Sequence, residues 1–357
     1  MKTGYTSRET NLEHSHTLWH SAFPDREFLS YLLFLIFPAL ICGCTAPELA
    51  QTYPDAPESN RVKTIIKMNS QALCLDVFTF ENDRMERLDS YQRIDKDLHG
   101  DKLCSIASRA GEKTVVIIAN SHADKYEWID INSRKALQKK TFDLEDEDPE
   151  NLMLIGEYNT TAGKAFQAIL TPMTAEIVLR SIRCDFAGLP YEGENMTDVK
   201  VYLTNINASC GIWTDEETFP TRVINAGRLS EHDMAGFRHP EMVVQEIDSD
   251  IGAECICPDI RLRAYPNSSP EESAGSPYTK LVVEGKIDGH TYYYPISINR
   301  GNEKRGSGIR RNKRYIYDLT ITRTGLEDPD GTIEDTEHKI IMEIKEWKEK
   351  DWYDIRF

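Results

Sequence analysis

The 357-residue sequence predicts an all-β protein built as two β-sandwich domains. Three observations predict it. Short apolar or alternating runs follow one another along most of the chain. Clusters of Gly, Pro, Asn and Asp separate them. One short segment, Ser133–Lys140 (SRKALQKK), reads as the best short helix, with Asn132 or Ser133 able to accept from its first free N–H groups. A hydrophobic content of 40% with 28% charged residues suits a folded globular chain and excludes wholesale disorder.

Residues 1–43 read as a leader. Phe28 to Ile41 (FLSYLLFLIFPALI) is an apolar run shorter than the roughly 20 residues a spanning helix needs, and it matches the h-region of a secretory signal. Ile41-Cys42-Gly43-Cys44 sets an aliphatic residue three positions before Cys44 and a glycine directly before it. This resembles a bacterial lipobox, so Cys44 is the expected lipidation site and outer-membrane lipid an expected partner. Acyl chains anchor durably because each buried methylene adds roughly 0.8 kcal/mol. Upstream, Lys2, Arg8 and Arg26 are outnumbered by Glu9, Glu13, Asp25 and Glu27. A signal n-region is short and positive, so the start of translation is expected further downstream. Residues 44–61 hold Pro47, Pro54 and Pro57 and little that is apolar, which predicts a flexible tether.

The first domain is expected over 62–171. Ala72–Phe80 (ALCLDVFTF) and Thr114–Ala119 (TVVIIA) are nearly continuous apolar runs, suited to strands buried on both faces. The mixed-charge stretch between them predicts a short strand and a loop containing Arg84, Arg87 and Arg93. Leu170-Thr171-Pro172 marks a boundary, and the second domain is expected over 172–335. There Ala175–Ile182 alternates, with Ala175, Ile177 and Leu179 on one face, and Val199–Leu203 alternates too. Ile260–Ala264, Leu281–Ile287, Thr291–Ile298 and Tyr315–Thr322 follow. In the last, Tyr315, Tyr317, Leu319 and Ile321 share one face at period 2 and are predicted core. Tyr292–Tyr294 predicts packing at an edge near Pro295. A tail, 336–357, continues past a complete domain with two more strand-like pieces, Ile340–Trp347 and Trp352–Phe357.

Chemistry is not evident. No phosphate loop, nucleophile elbow or zinc motif is present, so no enzyme activity, cofactor or metal is expected. Net charge of −17 without a basic stripe argues against nucleic acid as a partner. His232, Asp233 and His239, with Glu231 and Glu241, read as loop surface. Asp143–Glu150 (DLEDEDPE) lacks calcium-loop spacing and reads as a solvated loop. Cys74, Cys104, Cys184, Cys210, Cys255 and Cys257 remain after the leader and read chiefly as buried thiols; an exported chain permits disulfides, but the sequence does not choose their pairing.

Five stretches in order resemble the fimbrillins, the pilus subunits of the Bacteroides–Porphyromonas group. They are Leu73–Phe80, Gly111–Asn120 (GEKTVVIIAN), Leu170–Ile182 (LTPMTAEIVLRSI), Tyr292–Pro295 followed by Ile309–Gly325 (IRRNKRYIYDLTITRTG), and Ile340–Trp347 (IIMEIKEW). The resemblance spans most of the chain after the leader. It implies transthyretin-like sandwiches and a structural subunit of a cell-surface fimbrium that supports adhesion. It also implies assembly by donor-strand exchange, in which the tail fills a groove on the next subunit through Ile340, Met342, Ile344, Trp347, Tyr353, Ile355 and Phe357. Strand addition supplies main-chain hydrogen bonds, and alternate side chains fill pockets. The groove would open by cleavage after a basic residue, for which Arg61, Lys63 and Lys67 are the candidates. Expected partners are other fimbrial subunits and a host or bacterial surface ligand. A lipid-anchored base or a tip subunit is the near alternative. A surface glycan-binding lipoprotein, with Trp128, Trp213 and Tyr191 as platforms, is the further one.

Overall fold

The computed structural model describes residues 60–68, 72–95, 103–121, 128–213, 218–269, 277–300, 307–331, 333 and 339–346. The first strands are β1 (Arg61–Met68), β2 (Leu75–Glu81), β3 (Leu88–Ile94), β4 (Leu103–Arg109) and β5 (Glu112–Ala119). Helix α1 (Arg134–Gln138) precedes β6 (Thr141–Asp143), β7 (Leu154–Thr161), β8 (Phe166–Ala168) and β9 (Thr171–Pro172). They form one sheet of order β3-β2-β5-β7-β9 and another of order β4-β1-β8.

The two apolar runs become β2 and β5, neighbours inside the larger sheet and buried on both faces as expected. Phe78 packs against Tyr91 and Trp128, with ring centroids at 4.9 and 5.2 Å. The stretch between them holds two strands, β3 and β4, where a short strand and a loop were expected. Charge hid β3. Asp89 is buried within 3.2 Å of the Lys113 ammonium, and Arg93 lies 3.0 Å from the buried Asp76. Arg93 therefore sits in strand β3, not in a loop, while Arg84 occupies the turn before it and Arg87 bridges to Ser133 directly ahead of the strand.

Ser133 caps α1 as expected, its side chain accepting from the Ala136 N–H. The helix has a single turn and a β-rich surrounding, so its cap weighs heavily. Ser133→Ala is expected to lower stability by about 1 kcal/mol, read from a chemical denaturation midpoint.

The second half contains β10 (Ala175–Cys184), β11 (Thr197–Thr204), β12 (Ile206–Asn207), β13 (Ser209–Gly211) and β14 (Val223–Ile224). Helix α2 (Glu231–Met234) follows, then β15 (Val244–Ile247), β16 (Ile260–Ala264), β17 (Lys280–Ile287), β18 (His290–Ser297), β19 (Lys313–Ile321) and β20 (Lys339–Glu346). Two four-stranded sheets result, β16-β10-β19-β20 and β15-β11-β17-β18. Tyr315, Tyr317, Leu319 and Ile321 are core, none more than 2% exposed. Tyr294 is buried on the edge strand β18, beside Pro295.

In β10 the expected alternation gives way to burial on both faces from Ala175 to Leu179. The outer face is closed by ions: Glu176, 1% exposed, receives Arg263 at 2.8 Å, Arg261 at 3.7 Å and Arg314 as well. A bulge between Leu179 and Ser181 then turns Arg180 outward toward Asp318.

The six described cysteines are free: Cys74, Cys104, Cys184 and Cys210 are buried. Cys255 and Cys257 are exposed, on the loop before β16, so for these two the buried reading is corrected. The acidic stretch is corrected likewise at one position. Glu147 is 1% exposed and accepts from the Met153 N–H at 2.9 Å and the Tyr265 hydroxyl at 2.9 Å. The neighbouring β6 pairs with β13, so backbone and buried side chain together tie this loop to the strands that follow.

Candidate functional site

The two terminal strands are the elements on which a subunit of the expected kind would depend. The sequence of β1 (RVKTIIKM) alternates, so Thr64, Ile66 and Met68 turn inward while Arg61, Lys63, Ile65 and Lys67 face solvent. Its place in the fold is central. It pairs antiparallel with β4 from Arg61↔Arg109 to Lys67↔Leu103, and parallel with β8 from Ile66↔Phe166 to Met68↔Ala168. The Gly163 N–H donates to the Thr64 hydroxyl at 2.8 Å, closing a turn over the strand. A parallel partner so far along the chain leaves β1 bounded on both sides. Taking it away would separate β4 and β8 by two strand spacings, roughly 10 Å, and expose the residues that Ile66 and Met68 now cover.

The three basic candidates for maturation all lie on β1 and are exposed. They differ in what a cut would remove. Cleavage after Arg61 leaves the strand almost whole, and after Lys63 it leaves Thr64, Ile66 and Met68 in place. Cleavage after Lys67 removes every inward residue but Met68.

At the other end, β20 (KIIMEIKE) pairs antiparallel with β19 and forms the sheet edge. Ile340, Met342 and Ile344 stand opposite Leu319, Tyr317 and Tyr315 and are half-buried against the core. The Tyr317 hydroxyl lies 3.2 Å from the Met342 sulfur. Ile341 is 51% exposed, and Glu343 meets Arg180 at 3.1 Å on the outer face. Among the described residues one side of β20 has no strand beside it in the sheet, so there its backbone presents an open edge. The chain leading to it is held at Asp330 and Gly331, whose carbonyls accept from the buried Lys280 ammonium at 2.7 and 3.1 Å. Cys44, Trp347, Tyr353, Ile355 and Phe357 lie outside the described residues.

The scattered aromatic candidates part ways. Trp128 is core, packed on Phe78 and Phe142, and offers no platform. Tyr191 packs edge-on to Phe186 and accepts from the Thr324 N–H. Trp213 lines a groove together with Arg134, Glu157 and Arg311. That grouping was invisible in the sequence, where the four residues stand in four unrelated stretches. His239 meets Glu241 at 2.9 Å. Among the described residues no three His, Cys, Asp or Glu side chains gather as a metal site, and no helix is long and apolar enough to cross a membrane.

No protein-family model matches the sequence, and no curated protein matches it significantly. Solved structures do match. A fimbrilin from Porphyromonas gingivalis W83 aligns with a TM-score of 0.57 at 16% identity, covering 80% of this chain and 97% of that one. A candidate cell adhesion protein from Parabacteroides distasonis aligns with a TM-score of 0.58 at 17% identity, covering 81% and 97%. Another, from Bacteroides eggerthii, aligns with a TM-score of 0.59 at 13% identity, covering 81% and 96%. The likeness runs over nearly the whole of each neighbour, and the chain has the all-β sandwich fold of these fimbrilin and adhesion proteins.

Proposed function

We propose that this chain is a structural subunit of a cell-surface fimbrium, exported as an outer-membrane lipoprotein through Cys44 and assembled by donor-strand exchange. Its two sandwich domains would span residues 62–171 and 172–335. The role is mechanical and adhesive rather than catalytic, with other fimbrial subunits as partners.

The observation that carries this reading is the position of β1 as the middle strand between β4 and β8. A middle strand at the start of the fold is a costly place to lose seven of its eight residues, unless another strand replaces them. The tail matches the vacancy in kind. Ile340, Met342 and Ile344 recur at period 2, as Thr64, Ile66 and Met68 do. In an intact subunit β20 lies on its own sheet edge, where it is half-buried and paired on one side. Moving it into a slot between two strands would pair it on both. Because the slot and the donor lie on different surfaces of one subunit, the contact is head-to-tail and extends into a filament. Of the basic candidates, Lys67 is the one whose cleavage would empty the slot.

The test is N-terminal sequencing and intact mass of protein sheared from the cell surface. The expected species begins at Met68, carries no lipid and runs as a ladder of multimers. Removal of residues 336–357 is expected to abolish the ladder while leaving the monomer folded. A ladder that persists without the tail overturns donor-strand assembly. A chain that keeps acylated Cys44 and β1, and is found only in membranes, replaces the shaft role with that of a base anchor.

A further inference from the structure

A groove of about 410 Å³ opens beside the edge of the larger sheet of the first half. Strand β9 pairs with β7 only at Leu154 and Ile155, so Gly156, Glu157 and Tyr158 border open space. Gly156 is required here: a Cβ would come within 2.7 Å of the Tyr158 hydroxyl. That hydroxyl donates to the Ile169 carbonyl at 2.7 Å and accepts from the Ile169 N–H at 2.5 Å, which fixes the rim and leaves the Ile169 side chain 59% exposed. From the second half come Trp213 and Arg311.

Of the two arginines in the groove, only one has carboxylate partners among the described residues. Arg134 donates to both oxygens of Glu157, at 3.0 and 3.1 Å, and reaches Glu86 at 3.3 Å. Its guanidinium lies 4.7 Å from the Trp213 ring centroid, and the indole N–H donates to Glu157. This trio is neutralised within itself. Arg311 has no carboxylate partner among the described residues; its one hydrogen bond is to the Ile212 carbonyl at 3.2 Å. Burial pushes its guanidinium below the usual arginine range. A desolvated cation with one neutral acceptor is under-compensated, and an arriving anion would restore what burial removed.

We propose that this groove binds a small organic acid with one carboxylate and an apolar ring face, the chemistry of an acidic monosaccharide. Arg311 takes the carboxylate through its free fork, the geometry in which guanidinium selects planar oxyanions. Trp213, held in place by its N–H, and Ile169 offer the apolar surface. Glu157 accepts from a ring hydroxyl with its remaining lone pairs. The volume lies in the range of small-molecule sites. The groove is complete within one subunit, so the inference stands whether or not the chain polymerises.

The bland role for Arg311 is to hold the Ile212 carbonyl, and the experiment separates the two. Saturation-transfer NMR on the full chain would compare galacturonic acid and N-acetylneuraminic acid with galactose and glucose. Both acids are expected to bind with a Kd of ~1 mM, and the neutral sugars at least about tenfold more weakly. Arg311→Gln is expected to abolish acid binding, and Arg311→Lys, which keeps charge without the fork, to retain part of it. Thermal melts of both variants check folding. Equal binding of acids and neutral sugars, undiminished binding by Arg311→Gln, or no binding of either acid to the folded wild-type chain would each overturn the proposal.

Discussion

Ile66→Asp is expected to unfold the intact chain. Ile66 is fully buried on the middle strand β1, paired on both sides, and no cation faces it across β4 or β8 in the paired positions Cys104 and Phe166. Burying an unpaired carboxylate there costs on the order of 5 kcal/mol, comparable to the whole stability of an ordinary domain. Ile65→Asp is the control. Ile65 is 50% exposed on the same strand, and its replacement should shift stability by no more than about 0.5 kcal/mol. Thermal or urea denaturation of the two variants reads the difference. The same pair tests the assembly proposal. If β1 departs during maturation, a multimer made of subunits that begin at Met68 holds neither residue. Ile66→Asp would then block the precursor from folding, while multimers assembled from wild-type precursor and trimmed to Met68 resist denaturation without any help from β1. Multimers that still contain β1 by mass spectrometry would contradict that.

The second large effect concerns pH. Burial pushes the Glu147 carboxyl up to about 7, against the partial opposition of the Met153 N–H and the Tyr265 hydroxyl; Asp146 and Asp148 push it further up. The folded chain thus holds a proton that the unfolded chain releases above its ordinary carboxylate pKa of roughly 4.3. Between those two values the folded state binds more protons, so stability falls as pH rises. The contribution of Glu147 is fully present below about pH 4 and is lost as pH rises to about 7, a difference of ~3 kcal/mol. Glu147→Gln removes the titration. Its amide oxygen accepts from Met153 and its nitrogen donates to the Tyr265 hydroxyl. The variant is expected to match the wild type near pH 4 and to exceed it by up to ~3 kcal/mol near pH 8. Parallel denaturation curves at the two pH values check this, and an equal gap at both would show that Glu147 does not titrate in the window. The comparison of variant with wild type cancels carboxylates of opposite sign, such as Asp318, which Arg180 holds below the usual range.

Where the sequence spoke plainly, apolar residues and backbone demands agreed. The runs that became β2 and β5 were legible because strands buried on both faces need no polar alternation. Tyr315–Ile321 was legible because one face only is core. The cap at Ser133 was legible because its partner, the Ala136 N–H, lies three residues away. Strand β3 was read as part of a charged loop because its charged residues find partners on other strands: Asp89 with Lys113, Arg93 with Asp76. Nothing local distinguishes such a carboxylate from a solvated one. Glu147 was missed for the same reason, since in DLEDEDPE no feature marks the one acid that turns inward to meet Tyr265.

The candidate sites divide in the same way. By itself the sequence determined that β20 is a strand, which of its residues share a face, and that the chain carries a succession of stretches resembling those of the fimbrillins. Those are properties of period 2 and of short-range punctuation, set by geometry within a few residues. Only the tertiary structure decided that β1 is a middle strand, that β20 is an edge, and that Arg311 lies in one groove with Trp213 and Glu157. Each of these rests on contacts between distant parts of the chain, such as Thr64 with Gly163 and Arg311 with Ile212, each pair 99 positions apart. A strand's own residues set its faces, but its neighbours in the sheet are chosen by the packing of the whole core.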